Sequence, residues 1–346
     1  MLEKITISID AMGGDHGPKV TVPAAFCLLE KYPNIELILV GNQDVLNIAV
    51  APYDILLKKR ITVQHASEEI LMNELPSRAL RTKKDSSMRV AINLVRNGIA
   101  QACISAGNTG ALVATARFVL KTLPGIDRPA IVGYFPTRTP NKNTSILDLG
   151  ANVDTSPDYL CQLAIMGTVM SRVIDDIPYP KVALLNIGSE EIKGNEQIKL
   201  ASQLLLRNKN INYVGYVEGD DLFKGEVDVV VCDGFIGNIV LKTIEGVLKL
   251  VTFYAKRNTS RNFFTKLTAL LAFPMLRKLQ KDIDPGKYNG AALIGLPGII
   301  IKSHGSANVA AFVCALENAI IEVERNVPQK IRDELTKIIQ EQKATT

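Results

Sequence analysis

Paired cysteines and recognisable metal-binding motifs are missing from this chain of 346 residues. Its five cysteines are scattered and none belongs to a CxxC pair, so we expect no disulfide framework and a reducing cytosolic setting. There are three histidines, His16, His65 and His304, and no HExxH motif. A transition-metal site is therefore not expected, because such sites need several nitrogen, sulfur or carboxylate ligands at characteristic spacings.

The sequence also lacks the signatures of nucleotide binding and of membrane-spanning helices. No GxxxxGK(S/T) motif occurs, and no predicted strand runs into GxGxxG with an acidic residue about twenty positions later. An ATP or dinucleotide site is therefore disfavoured, and nothing points to a nucleic-acid partner. No apolar stretch approaches the roughly 18 residues of a membrane span, and no signal peptide precedes the first predicted strand. We expect a cytoplasmic chain that does not cross a bilayer.

Apolar strands alternate with helical patterns along most of the chain. Parallel strands need long crossovers, so this alternation predicts a three-layer α/β/α sandwich whose mainly parallel sheet carries helices on both faces. No shift in composition marks a boundary between two lobes, so we expect residues 1–346 to form a single α/β/α unit, with two lobes as the alternative. The predicted strands are 5–9, 36–40, 100–105, 130–135, 145–149, 181–187, 211–217 and 227–232.

One segment concentrates the positive charge. The chain has a formal net charge of +5, but residues 256–281 alone carry seven Lys or Arg and no Asp or Glu, which leaves −2 for the remainder. We expect residues 245–290 to form a projecting amphipathic helical element that contacts a membrane surface with anionic lipids. The alternative is an ordinary core or dimer-interface helix. The apolar face consists of Phe263, Leu267, Leu270 and Leu271.

Glycine-rich turns follow four of the predicted strands, at 10–15, 105–112, 185–195 and 232–238. Glycine lets the backbone approach a ligand closely, and the N-terminus of a following helix offers free N–H groups to an anion. Four such turns predict a shared anion-binding cleft, although plain helix capping also explains their polar residues. The candidate anion-binding and substrate-binding residues are Gly13, Gly14, His16, Ser105, Gly107, Asn108, Thr109, Asp233, Gly234 and His304.

Basic residues supply two further candidates. Lys193 follows a strand end, so its ammonium is expected to reach into the cleft. A basic loop within LPSRALRTKKDSSM is either solvated or in contact with an acidic partner. Its basic residues are Arg78, Arg81, Lys83 and Lys84.

Eight sequence blocks taken together resemble one protein family. The blocks are IDAMGGDHGP, LPSRALRTKKDSSM, SAGNTGAL, RPA at 128–130, LDLGAN at 147–152, LLNIGSEEIKGN, VEGDDLFKGEVDVVVCDGFIGNIVLKTIEG and AALIGLPGIIIKSHGSA. In this order, and over nearly the whole chain, the sequence resembles the bacterial phosphate acyltransferases. Those enzymes convert the acyl thioester of acyl carrier protein to acyl phosphate for phospholipid synthesis.

The resemblance implies a core similar to that of phosphate acetyltransferases and of isocitrate and isopropylmalate dehydrogenases. It implies a homodimer on the inner face of the cytoplasmic membrane, with inorganic phosphate as the acyl acceptor and no organic cofactor. An integral-membrane glycerol-3-phosphate acyltransferase is the expected partner that receives the product. The basic loop is then the docking site for acyl carrier protein.

The reaction of the resembled family depends mainly on positioning the substrates and on stabilising developing charge. Phosphate is already an anionic oxygen nucleophile at neutral pH, so neither a protein nucleophile nor a Ser-His-Asp triad is needed. We expect Lys193 to hold the phosphate or the developing oxyanion, and Asn238 to donate to the thioester oxygen. Carboxylates are awkward beside an anion, so we expect Asp10 and Asp15 to orient backbone donors or cationic side chains, namely His16 or Lys193.

Other classes of protein remain open on the sequence alone. The same architecture fits a phosphate acetyltransferase-like enzyme that uses a coenzyme A thioester, or a metal-dependent hydroxyacid dehydrogenase. The amphipathic basic segment disfavours the first, and the missing nicotinamide fingerprint disfavours the second. A non-enzymatic membrane adaptor would explain residues 256–281 but not the four glycine-rich strand ends.

Overall fold

An 11-stranded sheet runs through the protein, whose computed structural model describes residues 4–259 and 285–345. The strands are β1 (Ile5–Asp10), β2 (Ile35–Gly41), β3 (Ile61–His65), β4 (Ala102–Ser105), β5 (Ala130–Pro136), β6 (Asn143–Leu147), β7 (Lys181–Leu185), β8 (Asn212–Val217), β9 (Val229–Val231), β10 (Ala291–Ile294) and β11 (Ile299–Lys302). Their order across the sheet is β3-β2-β1-β4-β11-β10-β5-β6-β9-β7-β8.

Two sets of parallel strands point in opposite directions within this sheet. Strands β3, β2, β1, β4 and β11 form one set, and β6, β9, β7 and β8 form the other. Between the two sets, β10 and β5 pair antiparallel with their neighbours. The expected mainly parallel sheet is confirmed, whereas this antiparallel junction was not predicted because the short strands β10 and β11 were not recognised.

Helices cover both faces of the sheet, as expected for an α/β/α sandwich. They are α1 (Pro18–Lys31), α2 (Gln43–Val50), α3 (Ile55–Lys58), α4 (Pro76–Thr82), α5 (Ser87–Arg96), α6 (Thr109–Leu120), α7 (Pro157–Ile174), α8 (Glu196–Arg207), α9 (Gly234–Thr259), α10 (Val309–Glu324) and α11 (Val327–Thr345). Helices α1, α7, α8, α10 and α11 pack on one face, and α4, α5, α6 and α9 pack on the other. Alternate strand residues serve the two faces: Leu37 and Leu39 belong to the first core, and Ile38 and Val40 to the second.

Local signals set the boundaries of several helices. Helix α7 begins at Pro157, and Ser156 accepts a hydrogen bond from the Tyr159 N–H as its N-cap. The C-terminal part of the chain forms two helices, α10 and α11, rather than one long helix. The break falls at Asn326, whose φ of 50° lies in the left-handed region that asparagine tolerates, and Pro328 suits the first turn of the next helix.

Helix α9 lies on the sheet at its start and then leaves it. Leu241 and Ile244 still pack against the sheet core. Further along, the apolar side chains are about half exposed, namely Val247, Leu250, Val251, Phe253 and Tyr254. The residues expected to contact a membrane, Phe263, Leu267, Leu270 and Leu271, lie outside the described residues.

A buried carboxylate in α10 carries an uncommon protonation state. Glu322 is 7% exposed, and its burial raises the pKa of this carboxyl to about 8. The neutral form is therefore the stable one inside the fold at neutral pH.

We expect the free energy of unfolding of the wild type to fall, relative to that of Glu322→Gln, as pH rises from 5 to 9. The folded pKa of about 8 lies above the ordinary value of 4.5, so the stabilisation is full below the ordinary pKa and is lost as pH passes the folded one. The loss is on the order of 4 kcal/mol. Urea denaturation at several pH values measures it, with the exposed neighbour Glu324→Gln as control. The same pH dependence in all three proteins would contradict this assignment.

Candidate active site

A buried carboxylate joins three segments at the carboxyl end of β1. Asp10 is 1% exposed; its Oδ1 accepts a hydrogen bond from Ser87 Oγ and its Oδ2 accepts one from Ser105 Oγ, both at 2.6 Å. Burial raises the pKa of Asp10, while these serines and the Gly13 N–H oppose that rise. We expected Asp10 to orient backbone donors or a cationic side chain. The structure adds the two serine hydroxyls, which tie β1 to β4 and to the start of α5.

Three turns pack against one another above Asp10, because glycine leaves room for them. A Cβ on Gly13 would lie 2.5 Å from Asp10 Oδ2 and 2.9 Å from the Gly107 nitrogen. Gly14 has a φ of +89°, and a Cβ there would lie 2.9 Å from the Gly305 oxygen. The Asp15 N–H donates to that same oxygen at 2.9 Å. The turns after β1, β4 and β11 therefore converge at one place on the sheet edge. The expectation that all four predicted glycine-rich turns share one cleft is wrong, because those at 185–195 and 232–238 follow strands of the oppositely directed set.

Lys302, the last residue of β11, lies beside these turns. It is 9% exposed, and its Nζ donates to the backbone oxygens of Ala106, at 3.2 Å, and of Ser303. Burial and the positive charge of Lys242 lower the pKa of Lys302 to about 8. Sequence reasoning missed Lys302, although a lysine that closes an otherwise apolar strand, IIIK, was a usable signal.

His304 follows in the third turn and is held by neighbours on both sides. Its N–H donates to Asn289 Oδ1 at 2.7 Å, and its Nδ1 lies 2.9 Å from Ser306 Oγ. On the other side, its Nε2 lies 3.6 Å from Glu245 Oε2. The imidazole edge of His304 thus faces helix α9.

Helix α9 forms the opposite wall of the cleft. Asn238, Lys242 and Glu245 follow one another at i, i+4 and i+7 and therefore share one helical face. Lys242 Nζ lies 3.0 Å from Glu245 Oε2. His304 and Lys242 together lower the pKa of Glu245 to about 2. This face places Lys242 and Glu245 beside the turn after β11, where Glu245 contacts His304.

The loop after β6 supports the start of α9. Asp148 is fully buried and accepts hydrogen bonds from the backbone N–H groups of Ile131, Ala151 and Asn152. The Asn152 oxygen in turn accepts the Gly234 N–H at 2.8 Å. A Cβ on Gly150 would lie 3.2 Å from the Asn238 Cβ. The LDLGAN block therefore positions Asn238.

Two of the remaining predicted site residues, Asn108 and Asp233, form hydrogen bonds that cap helices. Asn108 Oδ1 caps α6 at the Ala111 N–H, and its Nδ2 donates to the Met72 and Glu74 oxygens. Asp233 Oδ1 likewise caps α9 at the Ile236 N–H. In both cases the structure shows the capping arrangement that the sequence left open. His16 is exposed, and Thr109 is half-buried at the start of α6.

Lys193 and the basic loop lie at the surface. Lys193 is exposed in the loop after β7, where its N–H donates to the Glu190 oxygen, and no described contact joins it to the three converging turns. Arg78 and Arg81 lie in helix α4 and not in a loop, which corrects the expectation for half of the basic loop. Both are exposed, as is Lys84, whereas Lys83 Nζ donates to the Glu69 oxygen at 2.9 Å.

The described residues contain neither a metal-binding cluster nor a helix that could span a membrane. Across residues 4–259 and 285–345, no group of three or more His, Cys, Asp or Glu side chains is placed to hold a metal ion. In the same part of the chain, no helix combines the length and apolar character that a bilayer crossing requires.

Solved structures identify the fold class. The EutD phosphotransacetylase from Staphylococcus aureus aligns with a TM-score of 0.58 at 15% identity, covering 94% of each chain. A phosphotransacetylase from Streptococcus pyogenes aligns with a TM-score of 0.59 at 17% identity, covering 93% of this chain and 94% of that one. The protein therefore has the phosphotransacetylase fold, as the sequence resemblance implied.

Sequence comparison then gives the family. The family model described as "Fatty acid synthesis protein" matches residues 5–330. A phosphate acyltransferase of Coxiella burnetii is 56% identical, covering 97% of this chain and 98% of the relative; one of Legionella pneumophila is 52% identical, covering 98% of each. The chain belongs to this phosphate acyltransferase family and is an acyltransferase, which confirms the resemblance and removes the dehydrogenase and adaptor alternatives.

We expect Lys193→Ala and Asn238→Ala each to lower kcat by at least ~100-fold without unfolding the protein, since we expect both side chains to be donors to developing charge and the loss of one such donor typically has an effect of this size. Thiol release from the acyl donor measures turnover, and circular dichroism checks the fold. Lys199→Ala, which removes a lysine of α8, is the matched control. Wild-type turnover in a folded variant would remove that residue from the mechanism.

Proposed function

We propose that the cleft transfers an acyl group from the thioester of acyl carrier protein to inorganic phosphate. A phosphate oxygen attacks the thioester carbonyl carbon, the carbon–sulfur bond breaks, and the thiolate leaves and takes up a proton. The products are acyl phosphate and free acyl carrier protein, which is the first step of bacterial phosphatidic acid synthesis. Family membership supports acyl transfer to phosphate.

The proposal rests on the place where three glycine turns converge beside Lys302, with His304 in the third turn and Lys242 on the facing helix α9. Backbone N–H groups and cations in one cleft suit a small, highly charged anion such as phosphate. Lys193 and Asn238 are proposed to act on the developing oxyanion and on the thioester oxygen. The phosphate needs no activation beyond positioning, because it is already ionised at neutral pH.

A basic surface supports the proposal that the acyl donor is acyl carrier protein, which is acidic. Residues 76–126 carry eight Lys or Arg and one acidic residue, Asp85. Phe118 is 51% exposed within this surface, and Arg89 Cζ and Lys121 Nζ each lie 4.9 Å from the centre of its ring. An exposed aromatic side chain between cations suits an acidic helical partner.

The donor test mixes the full chain with phosphate and either a long-chain acyl carrier protein thioester or the same acyl-coenzyme A. We expect mass spectrometry to detect acyl phosphate, formed faster from acyl carrier protein. Arg78→Ala and Lys83→Ala should raise KM for acyl carrier protein several-fold, and less so at high salt.

The matched control is Lys59→Ala, an exposed lysine outside the basic surface. A faster reaction with acyl-coenzyme A would favour the acetyltransferase-like alternative. Thiol release that does not depend on phosphate would contradict the proposed reaction.

We further propose a homodimer that is peripherally bound to the inner face of the cytoplasmic membrane. The half-exposed apolar residues of α9 from Val247 to Tyr254 support an interface there, because an apolar face of this extent calls for a partner. The basic segment 256–281 supports contact with anionic lipids. Acyl phosphate would then pass directly to an integral-membrane glycerol-3-phosphate acyltransferase.

We expect the double change Leu267→Glu and Leu271→Glu to abolish binding to anionic liposomes and to leave acyl phosphate synthesis in solution intact, since buried apolar area drives interfacial binding. Co-sedimentation with liposomes measures binding, and Leu56→Glu, at an exposed position of α3, is the control. Persistent binding would place the anchor elsewhere, and loss of the dimer or of the fold would assign these leucines to packing.

A further inference from the structure

Lys302 is a buried cation without a salt bridge to a carboxylate among the residues that the structure describes. Its Nζ instead donates to two backbone oxygens, those of Ala106 and Ser303. A buried charge that lacks an opposite charge in contact is unfavourable, and proteins usually pair or neutralise it. An anionic ligand would supply the missing partner.

The charged groups around Lys302 come from three elements. Asp10, at the end of β1, and Asp15, in the following turn, favour its protonated form, while Lys242 of α9 opposes it. Asp10 already accepts hydrogen bonds from two serines, and Lys242 already pairs with Glu245, which also lies 3.6 Å from His304 Nε2. Two ammonium groups thus lie near each other, while the carboxylates of Asp10 and Glu245 already have other partners.

The structure assigns to Lys302 the role of the cation that binds the phosphate of the proposed reaction. Its Nζ contacts a residue of the turn after β4 and a residue of the turn after β11, and the turn after β1 packs on both. A phosphate among these turns lies beside the ammonium. This inference rests on the proposed function and adds to it a residue that touches the acceptor substrate.

Proton uptake on phosphate binding distinguishes a Lys302 that binds phosphate from one that is purely structural. Burial and Lys242 lower the pKa of Lys302 to about 8, so part of the population is neutral in mildly alkaline solution. Phosphate favours the charged ammonium and raises this pKa again, so binding takes up a proton from the solution. A lysine that only clamps two carbonyl oxygens would bind no additional proton when phosphate arrives.

The experiment is calorimetric titration of inorganic phosphate into the full chain, without acyl donor, at pH 8.5 in buffers of different ionisation enthalpy. We expect the wild type to take up as much as about one proton per site. Lys302→Arg should bind phosphate with little proton uptake, because its guanidinium stays charged. The control Lys59→Met, at an exposed lysine distant in sequence from the cleft, should match the wild type.

Kinetics supply the second measurement. Lys302→Met should raise KM for phosphate by at least ~30-fold and change KM for the acyl donor by less than about threefold, since the lost charge acts on one substrate. If this variant fails to fold, the proton uptake of Lys302→Arg decides the question.

The outcomes separate this inference from the proposed function. Wild-type proton uptake in folded Lys302→Arg, or wild-type phosphate affinity in folded Lys302→Met, overturns the assignment while acyl phosphate synthesis stands. A wild-type protein that forms no acyl phosphate overturns the proposed function itself.

Discussion

The arrangement of the cleft depends on the hydrogen bonds of Asp10. This carboxylate is buried at the end of β1 and accepts from Ser87 at the start of α5 and from Ser105 at the end of β4. Because both serines come from other segments, the two hydrogen bonds fix the ends of β1 and β4 relative to α5. Gly13 and Gly107 then pack directly over the carboxylate, where no larger residue fits. A buried carboxylate without these donors would be costly, so the network and the turn geometry are interdependent.

The two sets of parallel strands point in opposite directions, and helix α9 links them. The turns after β1, β4 and β11 lie at one edge, whereas β9 belongs to the oppositely directed set. Helix α9 begins after β9 and runs back along the sheet, which brings Lys242 and Glu245 opposite His304. One helix therefore connects the two halves of the sheet. The last residues of α9, 256–259, belong to the basic segment for which we propose membrane contact.

Much of the fold was predictable because it rests on local signals. The strand-to-helix alternation and the Ser156-Pro157 start of α7 are readable from adjacent residues. The position of β11 was not, since it inserts between β4 and β10 through pairing with residues almost two hundred positions away. The role of Lys302 depends on that pairing. For Asn108 and Asp233, the same side-chain oxygens can cap a helix or face a ligand, so the sequence alone left both interpretations open.

We expect phosphate to bind where the three glycine turns converge. A crystal structure of the full chain with inorganic phosphate would test this directly. Phosphate should lie within hydrogen-bond distance of Lys302 Nζ and of backbone N–H groups in the turns after β1, β4 and β11. Phosphate bound only in the loops after β7 and β9, away from Lys302, would contradict this expectation.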